Sequence, residues 1–264
     1  MLNGSKIGAL VEPVMRGQSG GMSRNIYDNQ EFFDGYSQLP RSQGGLAEAP
    51  EWPAVRALLP DLRGARILDL GCGFGAFDRW AIEQGATSVV AIDLSQRMLA
   101  RARDLTASDK IRYLHGDLAD LAAFPGEFDL IYSALAFHYI ADFAALCRNM
   151  RQRLQDSGCL VATLEHPIYT APVDPQWLEL EDGRTVWPLD GYLQEGLRVT
   201  NWIAPGVEKY HRTMGSYFQT LQENGFVVRS LVEWAPDAQQ RADHPEWARE
   251  VHRPMFLLLR ADAA

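Results

Sequence analysis

The stretch Arg66-Ile-Leu-Asp-Leu-Gly-Cys-Gly-Phe-Gly75 restricts what this chain can fold into more than any other. A short apolar run (Ile67, Leu68, Leu70) enters a turn with glycines at 71, 73 and 75, and a helical pattern follows. Such a turn lets the backbone approach a ligand where a Cβ would collide with it. It also directs the free N–H groups that open the next helix toward polar ligand atoms. Asp69 adds a carboxylate beside the turn. Taken alone, the pattern serves a cofactor loop or a structural turn equally well, and the spacing downstream decides between them.

The pattern Ser88-Val-Val-Ala-Ile-Asp93 reads as a second buried strand ending in an acid. Its offset from the glycines is close to the ~20 residues at which an acid bonds ribose hydroxyls in dinucleotide-type folds. A third strand pattern, 111–115, ends at Gly116-Asp117-Leu118 and supplies another carboxylate. Strands at 66–70, 88–92, 111–115, 128–133 and 159–165 alternate with helices at 74–84, 95–105 and 142–156. That alternation indicates βαβ units and a parallel sheet covered on both faces. Phe143, Leu146, Met150 and Leu154 share one helical face, which packs on the sheet. A helix over 211–223 precedes apolar runs at 226–232 and 255–259, with no helix between them long enough for a crossover, so these two strands read as an antiparallel pair.

On these residues the chain resembles the class I S-adenosylmethionine-dependent methyltransferases, especially their small-molecule branch. The resemblance is carried by Leu68-Asp-Leu-Gly-Cys-Gly-Phe-Gly75, by Ala91-Ile-Asp-Leu-Ser95 with Met98, by Gly116-Asp-Leu118 and by Phe128-Asp-Leu-Ile-Tyr-Ser133. It is strong over 61–166, lies in layout over 210–260, and leaves no motif in 167–209. It implies an α/β, Rossmann-like doubly wound, mostly parallel sheet with an antiparallel C-terminal strand, and S-adenosyl-L-methionine as methyl donor. It further implies that Asp69, Gly71, Cys72 and Gly73 hold the methionine end of the cofactor and that Asp93, with Leu94 and Met98 beside it, chelates the ribose hydroxyls. Asp117 and Leu118 would bind adenine, and the main chain around Ser133 would face the methionine moiety. Cys72 itself reads as a small space-filling residue rather than a nucleophile.

The formal charge of −9 argues against a nucleic-acid partner. Cys72, Cys147 and Cys159 fall in no metal-ligand spacing, so no metal is expected. With no run long enough to span a bilayer and no signal-peptide organisation, they fit a reducing, cytoplasmic setting. Residues 1–21 read as a poorly ordered tail with Met22 as an alternative start, 22–60 as an N-terminal helical segment folding over the cofactor site, and 61–264 as the catalytic domain. Within it, 167–209 carries five prolines and Trp177, Trp187, Tyr192 and Trp202, and reads as an irregular insert or lid.

Ligands of open α/β sheets bind beyond the carboxyl ends of the strands. There His138, after the fourth strand, and Glu165 and His166, after the fifth, are the catalytic candidates; the last two serve the acceptor site or anchor the lid. Trp187 and Tyr192 of the insert and Tyr210, His211 and Arg212 at the start of the following helix are substrate candidates. From the N-terminal segment, which in the resembling family often folds over the cofactor, Tyr27 or Tyr36 closes the cofactor site and Arg41 pairs with the methionine carboxylate or an acidic substrate; the alternative is that the aromatics pack the helix and the arginine is solvated. The expected function is methyl transfer to an oxygen, nitrogen, carbon or sulfur atom of a small molecule. The alternatives are an NAD(P)-dependent oxidoreductase, which would favour G-x-G-x-x-G, and a non-catalytic S-adenosylmethionine-binding protein. Oligomeric state is not legible.

Overall fold

A computed structural model describes residues 25–124 and 126–264. The expected tail at 1–21 and the alternative start at Met22 lie outside the described residues. Seven strands form one sheet: β1 (Arg66–Leu70), β2 (Ser88–Asp93), β3 (Ile111–His115), β4 (Phe128–Ala134), β5 (Leu154–Glu165), β10 (Phe226–Trp234) and β11 (Phe256–Ala263). Their order is β10-β11-β5-β4-β1-β2-β3. The first five strands pair in parallel, whereas β11 runs antiparallel to both β5 and β10. The sheet is therefore the mixed, mostly parallel one expected. The chain reverses direction across the sheet between β1 and β4, and the crevice at that switch point is where such sheets take ligands.

Alternation along β1 explains the two-sided core. Leu68 and Leu70 pack with α6 (Phe143–Arg151) and α8 (Met214–Glu223), while Ile67 faces α3 (Trp52–Leu58), α4 (Ala76–Glu83) and α5 (Gln96–Asp104). α6 stops at Arg151, short of the expected residue 156. The Arg153 carbonyl accepts from the Phe128 N–H, and Leu154 then buries its side chain as the first residue of β5 rather than on the helix.

Around this frame lie α1 (Gln30–Ser37) and α2 (Pro40–Gly44) before the sheet, and α9 (Ala238–Asp243) between β10 and β11. The segment read as irregular is more regular than expected. After α7 (Pro167–Thr170) it forms two hairpins, β6 (Leu178–Glu179) with β7 (Thr185–Val186), and β8 (Gly196–Trp202) with β9 (Ala204–His211). Burial alternates along β8 and β9 with the period of two that a half-covered ribbon demands. The tip of the second hairpin reaches α1. Phe32, Ala204 and Val207 form a small buried cluster there with Tyr27, Tyr36, Tyr139 and Trp202 around it. A Cβ on Gly35 would stand 2.6 Å from Ile203 Cγ2, so a glycine is what lets helix and hairpin meet.

Candidate active site

A cleft of ≈ 1710 Å³ opens beyond the carboxyl ends of β1, β2, β4 and β5. Its floor is the turn between β1 and α4. Gly71 has φ 85°, and a Cβ there would stand 2.5 Å from Ala136 Cβ; Gly75 has φ 71°, and a Cβ there would run into the Tyr113 hydroxyl. Both the backbone angle and the crowding demand glycine. Gly73, by contrast, borders open space, and its N–H donates to Asp93 Oδ2 at 2.9 Å. The other oxygen of Asp93 accepts from Ser95 N–H at 2.8 Å. Burial pushes the Asp93 carboxyl up and these donors pull it back, so a strand-end acid is fixed against the turn.

Asp69 is buried beside the turn with Oδ1 unpartnered. Burial and the neighbouring Asp78 raise its pKa well above the usual carboxylate range, and burial takes Asp78 up to about 6. Two buried carboxyls this close share a proton rather than both ionise. Cys72 lines the cleft, and burial pushes its thiol far up, consistent with a space-filling role. Leu94, Met98, Asp117 and Leu118 line the same wall. Asp117 also caps the following turn by accepting from Ala119 N–H at 2.9 Å. Ser133 itself is fully enclosed, its hydroxyl donating to the Leu70 carbonyl at 2.7 Å, and the wall beside it is formed by Tyr132, Ala134 and Leu135.

The N-terminal segment forms one side of the roof. Asn25 donates to the Leu94 carbonyl, and Asp28 accepts from the Ser95 hydroxyl at 2.6 Å, so the segment is stitched to the turn after β2. The Tyr27 hydroxyl donates to that of Tyr139 at 3.1 Å, and Tyr36 lines the cleft beside them. Arg41 lines the cleft too, but its Nη2 donates to both carboxylate oxygens of buried Glu51, at 3.0 and 3.1 Å. Its charge is already answered within the chain.

Beyond β4 and β5 the character changes. His138 is 2% exposed, lines the cleft and has Nδ1 without a partner. Burial, with Lys209 and Arg212 adding to it against the pull of Glu165, pushes the ring down to about 4, so it is neutral near pH 7. Glu165 lines the cleft and accepts from Lys209 Nζ at 2.5 Å. Burial works to raise the Glu165 carboxyl, but His138 and Lys209 outweigh it and hold it below its ordinary value.

Sequence reasoning missed Lys209. The signal was present in the alternation of 204–211, which marks a strand rather than a loop. For the same reason Tyr210 and His211 end β9 and do not start a helix; Thr213 caps α8 by accepting from Ser216 N–H.

The structure brings Tyr210 and Arg212 to the cleft and leaves the other insert candidates out of its lining. Trp187 donates its indole N–H to the Ile168 carbonyl at 2.9 Å and stacks on Tyr169. The Tyr192 hydroxyl accepts from Met214 N–H, and His211 is fully buried between Thr170 and the Tyr192 carbonyl. His166 is likewise enclosed: Nδ1 accepts from Ile168 N–H at 3.1 Å, which leaves Nε2 to face Glu233 at 3.0 Å. His166 thus touches the start of the insert and β10 and is not among the residues lining the cleft.

A methyltransferase-domain family matches residues 67–158. An uncharacterized protein of Haemophilus influenzae is 34% identical over 249 residues, spanning 90% of this chain and 96% of its own length. A malonyl-[acyl-carrier protein] O-methyltransferase of Enterobacter lignolyticus is 36% identical over 110 residues, which is 43% of that enzyme. Among solved structures, an S-adenosylmethionine-dependent methyltransferase from Mesorhizobium loti superposes with a TM-score of 0.77 at 47% identity, covering 83% of this chain and 100% of that one. No helix among the described residues is long and apolar enough to cross a membrane.

Proposed function

This chain belongs to the S-adenosylmethionine-dependent methyltransferases, and from that premise we propose that it methylates a small molecule held in the cleft between the β1–α4 turn and the His138–Glu165–Lys209 cluster. The observation that carries the reading is the size of the cleft set against its covering. At ≈ 1710 Å³ it exceeds the ~300–1,000 Å³ usual for a single ligand, which leaves room for a donor and an acceptor together. Its sides come from the N-terminal segment and the β8–β9 hairpin, through Tyr27, Tyr36, Trp202 and Tyr210. That enclosure suits a small acceptor better than a polymer.

The residues present fit the donor. Open space at Gly73, the buried acid at Asp93 and the proton-sharing Asp69–Asp78 pair offer a cradle, a diol acceptor and one residual negative charge near a cationic ligand. When bound, the donor supplies an electrophilic methyl on a sulfonium. We assign Asp69, Gly71 and Gly73 to its methionine end, Asp93 to the ribose and Asp117 with Leu118 to adenine. Tyr27 and Tyr36 cover it from the N-terminal side.

His138, neutral and facing the cleft, orients the acceptor by hydrogen bonding and takes up a proton if the acceptor must lose one. Lys209 holds Glu165 ionised at the cleft wall. Transfer from a sulfonium is an in-line displacement, so holding the nucleophile in line supplies much of the rate, up to ~7–11 kcal/mol. The test is thermal unfolding with S-adenosylhomocysteine, S-adenosylmethionine, NAD and NADP, because a ligand that binds the native state raises apparent stability. Stabilisation by the two sulfur compounds alone is expected; stabilisation by a nicotinamide nucleotide alone would defeat the proposal.

A further inference from the structure

Arg212 is a buried cation without an ion-pair partner among the described residues. It is among the residues lining the cleft, yet it is only 9% exposed. Nη2 donates to the carbonyls of Ile140 and Ala141. The rings of Phe143, Tyr210 and Tyr217 surround the guanidinium at 5.5, 5.9 and 5.8 Å. Nη1 has no hydrogen-bond partner, although the guanidinium favours the ionised form of the neighbouring Tyr217 hydroxyl. Among the described residues no carboxylate forms an ion pair with it. Glu165 is taken by Lys209. Asp142 caps α6 through Ala145 N–H, and Glu195 accepts from the backbone and hydroxyl of Thr213.

A buried charge is costly unless paired, and an orphaned donor adds to the cost. If Arg212 served only to tie the loop before α6, its Nη1 donors would be expected to be satisfied as Nη2 is. With Lys209 and Glu165 cancelling each other and His138 neutral, Arg212 keeps no ion-pair partner among the described residues, although the carboxylates of Asp142, Glu195 and Glu208 line the same cleft.

We propose that the acceptor is a small organic acid whose carboxylate docks on the Arg212 guanidinium. Guanidinium is the side-chain group best suited to a carboxylate, being planar, permanently charged and weakly hydrated. The aromatic rings around it favour an acceptor whose remaining body is apolar. This inference rests on the methyltransferase reading, and it names the acceptor class without fixing which atom is methylated.

The experiment titrates the S-adenosylhomocysteine complex of the full chain with benzoate and hexanoate, each against its amide, by calorimetry. At least one carboxylate is expected to bind tenfold or more tightly than its amide. Arg212→Gln should reduce that preference to within twofold while its affinity for S-adenosylhomocysteine stays within twofold of wild type. Should Arg212→Gln not fold, Arg212→Lys, which keeps the charge, should retain a weaker preference for the carboxylate. Equal binding of acid and amide, no binding of either, or a preference that survives Arg212→Gln would overturn the inference while leaving the methyltransferase reading intact. Failure of the wild type to bind S-adenosylhomocysteine would overturn both.

Discussion

Lys209 Nζ lies 2.5 Å from Glu165 Oε1, joining the middle of the β8–β9 hairpin to the carboxyl end of β5. Both side chains are largely buried. Removing one partner strands a charge, whereas removing both does not. Lys209→Met should therefore cost about 3–5 kcal/mol, and Lys209→Met/Glu165→Leu should recover most of it. Urea unfolding of the single and double variants checks this, and a double variant as unstable as Lys209→Met would show that the pair is not the source.

His138 gives a pH signature. Its folded pKa, about 4, lies below the 6.5 of the free side chain, so the unfolded chain binds more protons between these values. The associated stability is fully present above pH 6.5 and is lost as the pH falls toward 4, a change of about 3 kcal/mol. Glu165, also held low, loses stability in the same direction at lower pH. Asp69 and Asp78, both raised, titrate in the opposite sense, so the difference between wild type and variant is the informative quantity. Between pH 7 and 4.5, His138→Gln should lose about 2 kcal/mol less than wild type; parallel curves would mean that the ring is solvated in the folded state.

At the wall proposed to hold the cofactor, Asp93→Asn keeps the shape but replaces an oxygen that accepts from Gly73 or Ser95 with a donor. Affinity for S-adenosylhomocysteine should fall by about tenfold or more, on the order of the 1.5–3 kcal/mol carried by a charged hydrogen bond. Isothermal titration measures it, and unchanged affinity would remove Asp93 from the site.

The meeting of α1 and the hairpin tip can be probed at Gly35. A Cβ there would stand 2.6 Å from a branch methyl of Ile203, a residue whose own φ is 61°. Gly35→Val should destabilise by about 1–3 kcal/mol through overpacking and weaken S-adenosylhomocysteine binding as well. Adding Ile203→Gly relieves the crowding and suits the positive φ, so melting temperature should partly recover.

The parts legible in the sequence are those whose physics is local. The β1 turn needs its glycines for backbone reasons, and the acids at 93 and 117 sit at strand ends that apolar runs announce. The overlooked parts depend on pairing between distant segments. Lys209 resembles any surface lysine until β9 is seen to lay it against Glu165. Trp187, Tyr192 and His211 have residue types that signal binding, yet each finds its polar partner in the insert or at the start of α8. The Asp69–Asp78 coupling is equally invisible, since the two belong to different elements and meet only when α4 packs on β1.

Phe32, from the beginning of the described chain, and Val207, from the insert, belong to one small buried cluster. Neither flank has a complete apolar interior of its own at that point. Displacing the hairpin to admit a reactant exposes the aromatic side of α1, and displacing α1 strips the hairpin tip in turn. One buried cluster thus joins the two flanks, so a change packed into either is felt by the other.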